Sequence, residues 1–455
     1  MSSPELPVVI DRERRSQVRK AAVASTIGTT IEWYDYFLYG TAAALVFPHV
    51  FFPHMSPYLG VLASFATYFV GFLARPVGAA IFGHWGDRIG RKAMLITTLS
   101  MMGLASALIG LLPGANIWGD AAPIILILLR VFQGIAVGGE WGGSVLLSME
   151  WGNQKRRGLM ASWPQTGVAI GIILSTGLMA LFNAIWGTTA FIAWGWRIPF
   201  LLSLVLVAIG LYIRLRIAET PMFAAVVQTK ETHKSPVREV IRRYPKEIIL
   251  SALLRMSEQM PFYIVTAFVL SYLTDKNHNY SYNFVLIGTM IAAVIELILV
   301  PYFGHLSDRV NRKKIYLIGA AITGVWGFVY FGVLDSGVGW LVFIAVCVAL
   351  IPHAIQYGPQ ASIIAESFPT NLRYTGSGLG YQLASIIAGG PAALIATFLL
   401  HQFGTGYAVA VYMLVSAIIT ILATIFLPDH SREDIADPNT YATKVQHPAE
   451  SSSGR

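Results

Sequence analysis

The sequence predicts an all-α membrane protein of twelve transmembrane helices, arranged as two six-helix pseudo-symmetric bundles. Three observations predict it. The first is composition: 455 residues are 55% hydrophobic and only 12% charged, with a mean hydropathy of +0.60. A soluble domain carries about 25% charged residues, so this chain has too little charge to cover a water-facing surface but can face lipid. The second is a series of twelve apolar runs near 23–47, 59–83, 93–113, 122–147, 161–186, 197–217, 247–273, 284–304, 314–334, 340–365, 377–401 and 406–428. Each is about 20 residues or longer, enough to span a bilayer as a helix. The third is the placement of basic residues. With the amino terminus inside, 27 of the 32 Lys and Arg fall in cytoplasmic segments, and only Arg197 and Lys276 fall outside. That is a strong positive-inside bias.

The domain boundaries follow. Residues 1–22 are polar and basic (Arg12, Arg14, Arg15, Arg19, Lys20) and are expected to stay in the cytoplasm. Residues 23–217 form the first bundle and 247–428 the second, separated by a polar central loop at 218–246. Residues 429–455 form a polar cytoplasmic tail without a heptad repeat, expected to be disordered. The net charge of +8 is explained by topology and lipid contact, so no nucleic-acid partner is expected. The single cysteine, Cys347, excludes an intramolecular disulfide and a multi-cysteine metal site.

Taken in order, the helices repeat. Helix 1 carries "EWYDYF" from Glu32, and helix 7 carries "EQMPFY" from Glu258. Helix 2 carries Arg75 twelve residues before Asp87, and helix 8 carries Glu296 twelve before Asp308. "GHWGDRIGRK" (83–92) follows helix 2, and "GHLSDRVNRK" (304–313) follows helix 8. After helix 4, Glu150 precedes Arg157 by seven residues; after helix 10, Glu366 precedes Arg373 by seven. Parallel six-helix repeats point to a transporter whose site lies between the halves.

The chain resembles the major facilitator superfamily and, within it, the metabolite:proton symporter family. The residues that carry this are "EWYDYFLYG" (32–40), "ARPVGAAIFGHWGDRIGRK" (74–92), "RVFQGIAVGGEWGG" (130–143), "WGWRIPF" (194–200) and "SFPTNLRYTGSGLGYQ" (367–382). "WGWRIPF", "YIVTAFVLSY" and "RYTGSGLGYQLAS" are closest to its shikimate-permease branch. The resemblance implies the major facilitator fold, alternating access in the cell inner (plasma) membrane with both termini cytoplasmic, and a proton gradient in place of any cofactor.

Each ionised group inside a bilayer costs several kcal/mol, so the buried charges need a wet cavity between the bundles. Glu32, Asp35, Tyr36 and Tyr39 are spaced to share one helix face. At 1.5 Å per residue Asp35 lies roughly 18 Å from the cytoplasmic end, about level with Arg130 on helix 4. Two carboxylates on one face repel, which suits a reversible proton carrier. The resemblance implies a helix 1 acid facing the helix 4 arginine, here Asp35 or Glu32 with Arg130. Glu140 is a third candidate, or a brace at the end of helix 4. Arg75 precedes Pro76 in mid-membrane, and its guanidinium fork suits a substrate carboxylate; the competing role is a partner for Glu32. Arg255 is expected to pair with Glu258. Tyr34, Tyr36, Tyr263, Gln165, Gln259, Gln356 and Gln382, with Arg255 and Glu258, are further candidates for the substrate site, and His353 lies near the same layer.

A cytoplasmic gate is expected from Gly83, Gly86, Asp87, Arg88, Asp308, Arg309, Glu150, Arg157, Glu366 and Arg373. In the resembled family the Asp87 and Arg88 motif holds the halves closed. The second copy departs, with Asn311 where the first has Gly90. Glycine and serine at 158, 167, 171, 175 and 177, and again at 376–380, 385 and 389–390, suit close, sliding helix contacts.

The expected function is proton-coupled symport of a small organic acid such as shikimate by a monomer in contact with lipid. The alternatives are a zwitterionic osmolyte (proline or betaine) or a di- or tricarboxylate. An ATP-driven pump lacks support because no Gly-Lys pair, hence no phosphate loop, occurs. No His/Glu metal spacing supports a membrane enzyme.

Overall fold

The computed structural model describes residues 8–89, 91–151, 154–215, 236–275, 278–369, 372–433, 435 and 438–441. Within these, the side chains of 8–21, 24, 83, 84, 86–92, 147, 150, 151, 154, 214, 236, 438 and 439 are outside the description.

Twelve helical rods follow the predicted order. The first bundle holds α1 (Val8–Leu45), α2 (Pro57–Ile89), α3 (Arg91–Leu111), α4 (Ala121–Gly138, continuing as Trp141–Trp151), α5 (Arg157–Ala190) and α6 (Arg197–Leu215). The second holds α7 (Pro245–Leu254, Met256–Tyr263 and Val269–Thr274), α8 (Tyr282–Arg309), α9 (Arg312–Leu334), α10 (Gly339–Val348 and Ile351–Glu366), α11 (Arg373–Ala384 and Gly390–Phe403) and α12 (Gly406–Phe426). Single π turns join the later parts of α7 and of α11. Among the described residues nine helices are long and apolar enough to cross a membrane. The others are α1, whose amino-terminal part is charged, the shorter α6, and the interrupted α7.

The outer surface explains how such a chain can be stable. On α9, Ile318, Ile322, Val325 and Val329 are exposed in one helical stripe, and on α12 Val411, Val415, Ile418 and Leu422 form another. Patches of this kind are untenable in water and match a lipid face.

Glycine sets the close approaches that fix the interior. A Cβ at Gly138 would lie 1.9 Å from the Arg75 carbonyl oxygen, so only glycine lets α4 meet α2 there. The halves meet along α5 with α8 and along α2 with α11. A Cβ at Gly158 would fall 2.5 Å from Ser307 Oγ, and one at Gly390 would fall 2.5 Å from the Phe69 ring. At the end far from the chain termini, Asn183 donates to Asn283 at 2.9 Å, and Tyr58 stacks on His401 with centroids 3.8 Å apart.

Two expectations change. The 218–246 stretch is helical at Pro236–Arg243 and already belongs to α7 from Pro245. Of the tail expected to be disordered, residues 434, 436, 437 and 442–455 lie outside the described residues, and the rest is partly packed. Pro438–Tyr441 form a short helical turn, and Ile435 is buried. The cause is a set of buried arginines that bind its carbonyl groups, described below.

Candidate functional site

The interior of the first bundle is organised by two arginines. Arg75 and Arg130 are both buried. The Arg75 guanidinium lies 4.1 Å from the Tyr36 ring centroid and 4.7 Å from that of Phe72. Arg130 lies 4.3 Å from Tyr36 and 4.2 Å from Tyr39. Desolvated stacking of this kind contributes about 2 kcal/mol and holds the guanidinium planes in place. Glu32 lies within electrostatic range of Arg75.

The expected direct pair between Asp35 and Arg130 is not made. Asp35 Oδ1 accepts a short hydrogen bond from Ser203 on α6, while Arg130 Nη1 donates to Gln133 Oε1 at 2.9 Å. Gln133 Nε2 donates to Ser106 Oγ at 2.6 Å, and that hydroxyl stands beside Asp35. The reason is helical geometry: one residue turns the face by about 100°, so Asp35 points towards α3 and α6 while Tyr36 points to the centre. Asp35 and Arg130 are thus linked through an amide and a hydroxyl.

Other expected residues divide. Tyr34 does not reach the centre. It stands two positions from Tyr36, on the opposite helix face, and its hydroxyl donates to the Pro199 carbonyl at 2.7 Å. Gln165 accepts from Trp141 Nε1 at 3.1 Å. Gln259 donates to Ser385 at 3.2 Å, and Gln382 donates to the Gly138 carbonyl across the halves at 3.4 Å. Gln356 is committed to Ser257 and Thr323, tying α10 to α7 and α9. Glu140 is buried at the break in α4. Tyr263 is central, 6.1 Å from Tyr36 across the halves.

In the second bundle Arg255 and Glu258 pair as expected, at 3.1 Å. Arg255 also donates to the Tyr381 carbonyl at 2.7 Å and lies 3.4 Å from the Tyr381 ring centroid. Tyr381 in turn stacks on Trp141 of the first bundle, 3.7 Å between centroids. His353 joins Glu258 and Glu296, with ring nitrogens 3.1 and 2.6 Å from their carboxylate oxygens.

Some of the polar atoms left over lie between the bundles. Arg75 Nε and Nη2, Arg130 Nε and Nη2, and the hydroxyls of Tyr36, Tyr68, Tyr263 and Tyr381 have no hydrogen-bond partner among the described residues. Buried polar groups are ordinarily satisfied, so this cluster fits an anionic ligand with neutral hydroxyl groups.

At the end carrying the termini, the halves are tied by charge. Asp308 accepts the Gly158 and Leu159 amides at 2.7 and 3.0 Å, capping the start of α5, where a carboxylate is favoured by the helix dipole. Arg157 pairs with Glu366 at 2.7 Å. Arg312 pairs with both Asp308 and Glu366. Tyr374 donates to the Gly139 carbonyl at 3.0 Å. Asn311 is no obstacle to this second copy of the motif: it caps α9, accepting the Lys314 amide at 3.0 Å. Arg309 does not join and is exposed. The side chains of Gly83, Gly86, Asp87, Arg88 and Glu150 lie outside the described residues.

The tail closes over this end. Arg157 donates to the carbonyls of Glu433 and Ser431 at 3.2 and 3.0 Å. Arg373 donates to Ile435 O at 2.8 Å, and the Tyr441 hydroxyl donates to Glu366 O at 3.0 Å.

Sequence reasoning missed Ser203, Arg312 and Tyr381 and gave His353 no partner. Arg312 was findable, since it matches Arg91 in the repeated motif. A lone serine or tyrosine in an apolar run carries no such signal.

Comparison with known proteins agrees with this architecture. The Major Facilitator Superfamily profile matches residues 35–391. The chain is 41% identical over 421 residues to the shikimate transporter of Escherichia coli K12, covering 92% of this chain and 96% of that one. It is 31% identical to the glycine betaine/proline/ectoine/pipecolic acid transporter OusA of Dickeya dadantii, covering 95% and 88%. Among solved structures, the proton:xylose symporter XylE superposes with a TM-score of 0.71 at 17% identity, covering 92% of this chain and 97% of that one, a likeness of fold.

Proposed function

We propose that this chain, which belongs to the major facilitator superfamily and is a membrane transporter and not an enzyme, takes up a small organic acid together with protons. The favoured cargo is a hydroxylated monocarboxylate of the shikimate type. The observation that carries this is the set of unpartnered guanidinium nitrogens on Arg75 and Arg130 beside unpartnered tyrosine hydroxyls. A guanidinium fork accepts a carboxylate with two parallel hydrogen bonds, and the tyrosines offer donors and acceptors to cargo hydroxyls. The likeness to a shikimate transporter supports the same class.

The aromatic faces argue against a zwitterionic osmolyte. Its cation would need a ring face, and the faces of Tyr36, Tyr39 and Tyr381 are already covered by Arg75, Arg130 and Arg255. Proton coupling is assigned to Asp35, whose Oδ2 has no hydrogen-bond partner, tuned by Arg130 through Gln133 and Ser106. Glu32 and Glu140 stand next in order. Access alternates as the contacts at the two ends break in turn, with both termini on the cytoplasmic side of the cell membrane, as the basic bias requires.

The test is uptake of a labelled panel (shikimate, di- and tricarboxylates, proline, betaine) into proteoliposomes, with and without an imposed pH gradient. Accumulation of a hydroxylated monocarboxylate only with the gradient is expected. Transport of betaine without any organic acid would overturn the cargo assignment. Uptake indifferent to the gradient would overturn the coupling.

A further inference from the structure

The repeat that relates the two bundles contains one exchange of charge. Glu32 on α1 corresponds to Glu258 on α7, and Arg75 on α2 corresponds to Glu296 on α8. The first bundle therefore sets an acid against a permanent cation, and the second sets an acid against an acid. The second bundle supplies the missing cation through His353 on α10. Its Nδ1 lies 2.6 Å from Glu296 Oε1, and its Nε2 lies 3.1 Å from Glu258 Oε1. All three side chains are at least 95% buried.

Of these contacts, that of Nε2 with Glu258 is a hydrogen bond, while Nδ1 and the Glu296 oxygens lie close without hydrogen-bond geometry; the charge balance of the cluster points to one further proton. A neutral imidazole has one N–H and one lone pair. It can donate to one carboxylate only, and its bare nitrogen would then face the other carboxylate, lone pair against lone pair. Two buried carboxylates beside one guanidinium leave a net negative charge unless the imidazole or a carboxyl group carries a further proton. Either way the cluster holds one proton more than neutral imidazole with two carboxylates. The surroundings supply no substitute. The charged, titratable and amide groups that interact with Glu258 include Arg255 on α7, Tyr316 on α9, Tyr357 and Gln360 on α10 and Tyr381 on α11. From α12, Met413 lies beside His353 and Thr420 accepts the Ser257 amide. Arg255 balances one carboxylate, Gln360 donates to Glu258 at 2.5 Å, and the extra proton balances the other carboxylate.

We propose that Glu258, His353 and Glu296 form a second proton site, holding one exchangeable proton, and that closure of the second bundle around its cargo requires that proton. Without it, a net negative charge is buried, and α8 and α10 are pushed apart where they now meet. Arg255 connects the site to the cargo region, since it binds both Glu258 and Tyr381, and Tyr381 stacks on Trp141 across the halves. The fixed cations of the first bundle then hold the anion, and the second bundle senses the proton. The transport half of this inference rests on the proposed symport; the proton half does not.

The experiment has two arms, both on the full chain in lipid. In the first, histidine-selective nitrogen NMR and infrared spectra of carboxylic-acid stretches are recorded without cargo, for wild type, H353Q and E296Q. Wild type should show either a His353 imidazolium or a carboxylic-acid stretch, and E296Q should lose it. A neutral His353 with no acid stretch beyond those that E296Q retains would overturn the site. In the second, cargo exchange is followed across pH in proteoliposomes. Wild-type exchange should fall by about tenfold per pH unit once the proton is lost, as one linked proton requires. E296Q, whose cluster is neutral without the proton, should give a flat profile. A flat wild-type profile, or an E296Q profile that parallels wild type, would overturn the link to closure. If wild type carries no organic acid, the symport reading fails and the spectra alone decide the proton site.

Discussion

Asp308 on α8 receives the Gly158 amide of α5 at 2.7 Å, so a carboxylate of one bundle caps a helix of the other. The contact exists because Gly158 has no side chain: a Cβ there would lie 2.8 Å from Asp308 Oδ1.

Asp308→Ala should therefore weaken the closed state at the end carrying the termini. Removing a charged cap costs about 0.5–2 kcal/mol and leaves Arg312 with one partner fewer. Cysteine accessibility at that end, in a background lacking Cys347, should rise. Unchanged accessibility would reduce the motif to a topological role.

Asp35→Asn should abolish accumulation driven by a pH gradient. With about one pH unit imposed, a single coupled proton can concentrate cargo about tenfold. The variant should only equilibrate it, while exchange at equal concentrations persists. A variant that still concentrates cargo would move the coupling role to Glu32, to Glu140 or to the Glu258, His353 and Glu296 site.

Arg75→Ala should nearly abolish uptake, because removing one partner of a buried charged pair costs about 2–5 kcal/mol. Arg75→Lys keeps the charge and loses the fork, so affinity should fall less. Direct binding of labelled acid to the purified variants is the measurement. Wild-type affinity in Arg75→Ala would refute the assignment.

Truncation after Pro428 should lower thermal stability. It leaves Arg157 and Arg373 without the carbonyl groups of Ser431, Glu433 and Ile435. Each lost bond to a charged donor costs about 1.5–3 kcal/mol, so the melting temperature of the purified protein should drop by several degrees. The Asp429 contribution to this segment should be insensitive to pH near neutrality. Burial alone would raise the Asp429 carboxyl, but Ser431, Asn311 and Lys313 outweigh it and hold it below the usual carboxylate value. A depressed acid contributes its stability in full above the unfolded value and loses it only as pH falls towards the folded one. An unchanged melting temperature on truncation would show that the strap adds nothing.

The sequence by itself determined the helices, their number and the division into halves. The physical reason is that a spanning helix must satisfy its backbone internally and bury an apolar surface in lipid, and both demands are written locally, run by run. It also placed Glu32, Asp35, Arg75, Arg130, Arg255, Glu258 and Glu296 in the interior and named the local pair Arg255–Glu258, three residues apart on one face. What it could not determine was the partnering of side chains on different helices. Asp35 or Glu32 was read as facing Arg130, and Asp35 meets Ser203 instead, 168 positions away. Tyr34 was read as lining the site, yet it turns to the Pro199 carbonyl. His353 acquires two carboxylates only when α7, α8 and α10 converge, and the tail carbonyls of Ser431, Glu433 and Ile435 meet Arg157 and Arg373 from other segments. These outcomes depend on the rotation of each helix about its axis and on where glycines let backbones touch. Those are properties of packing between segments, which tertiary structure alone decides.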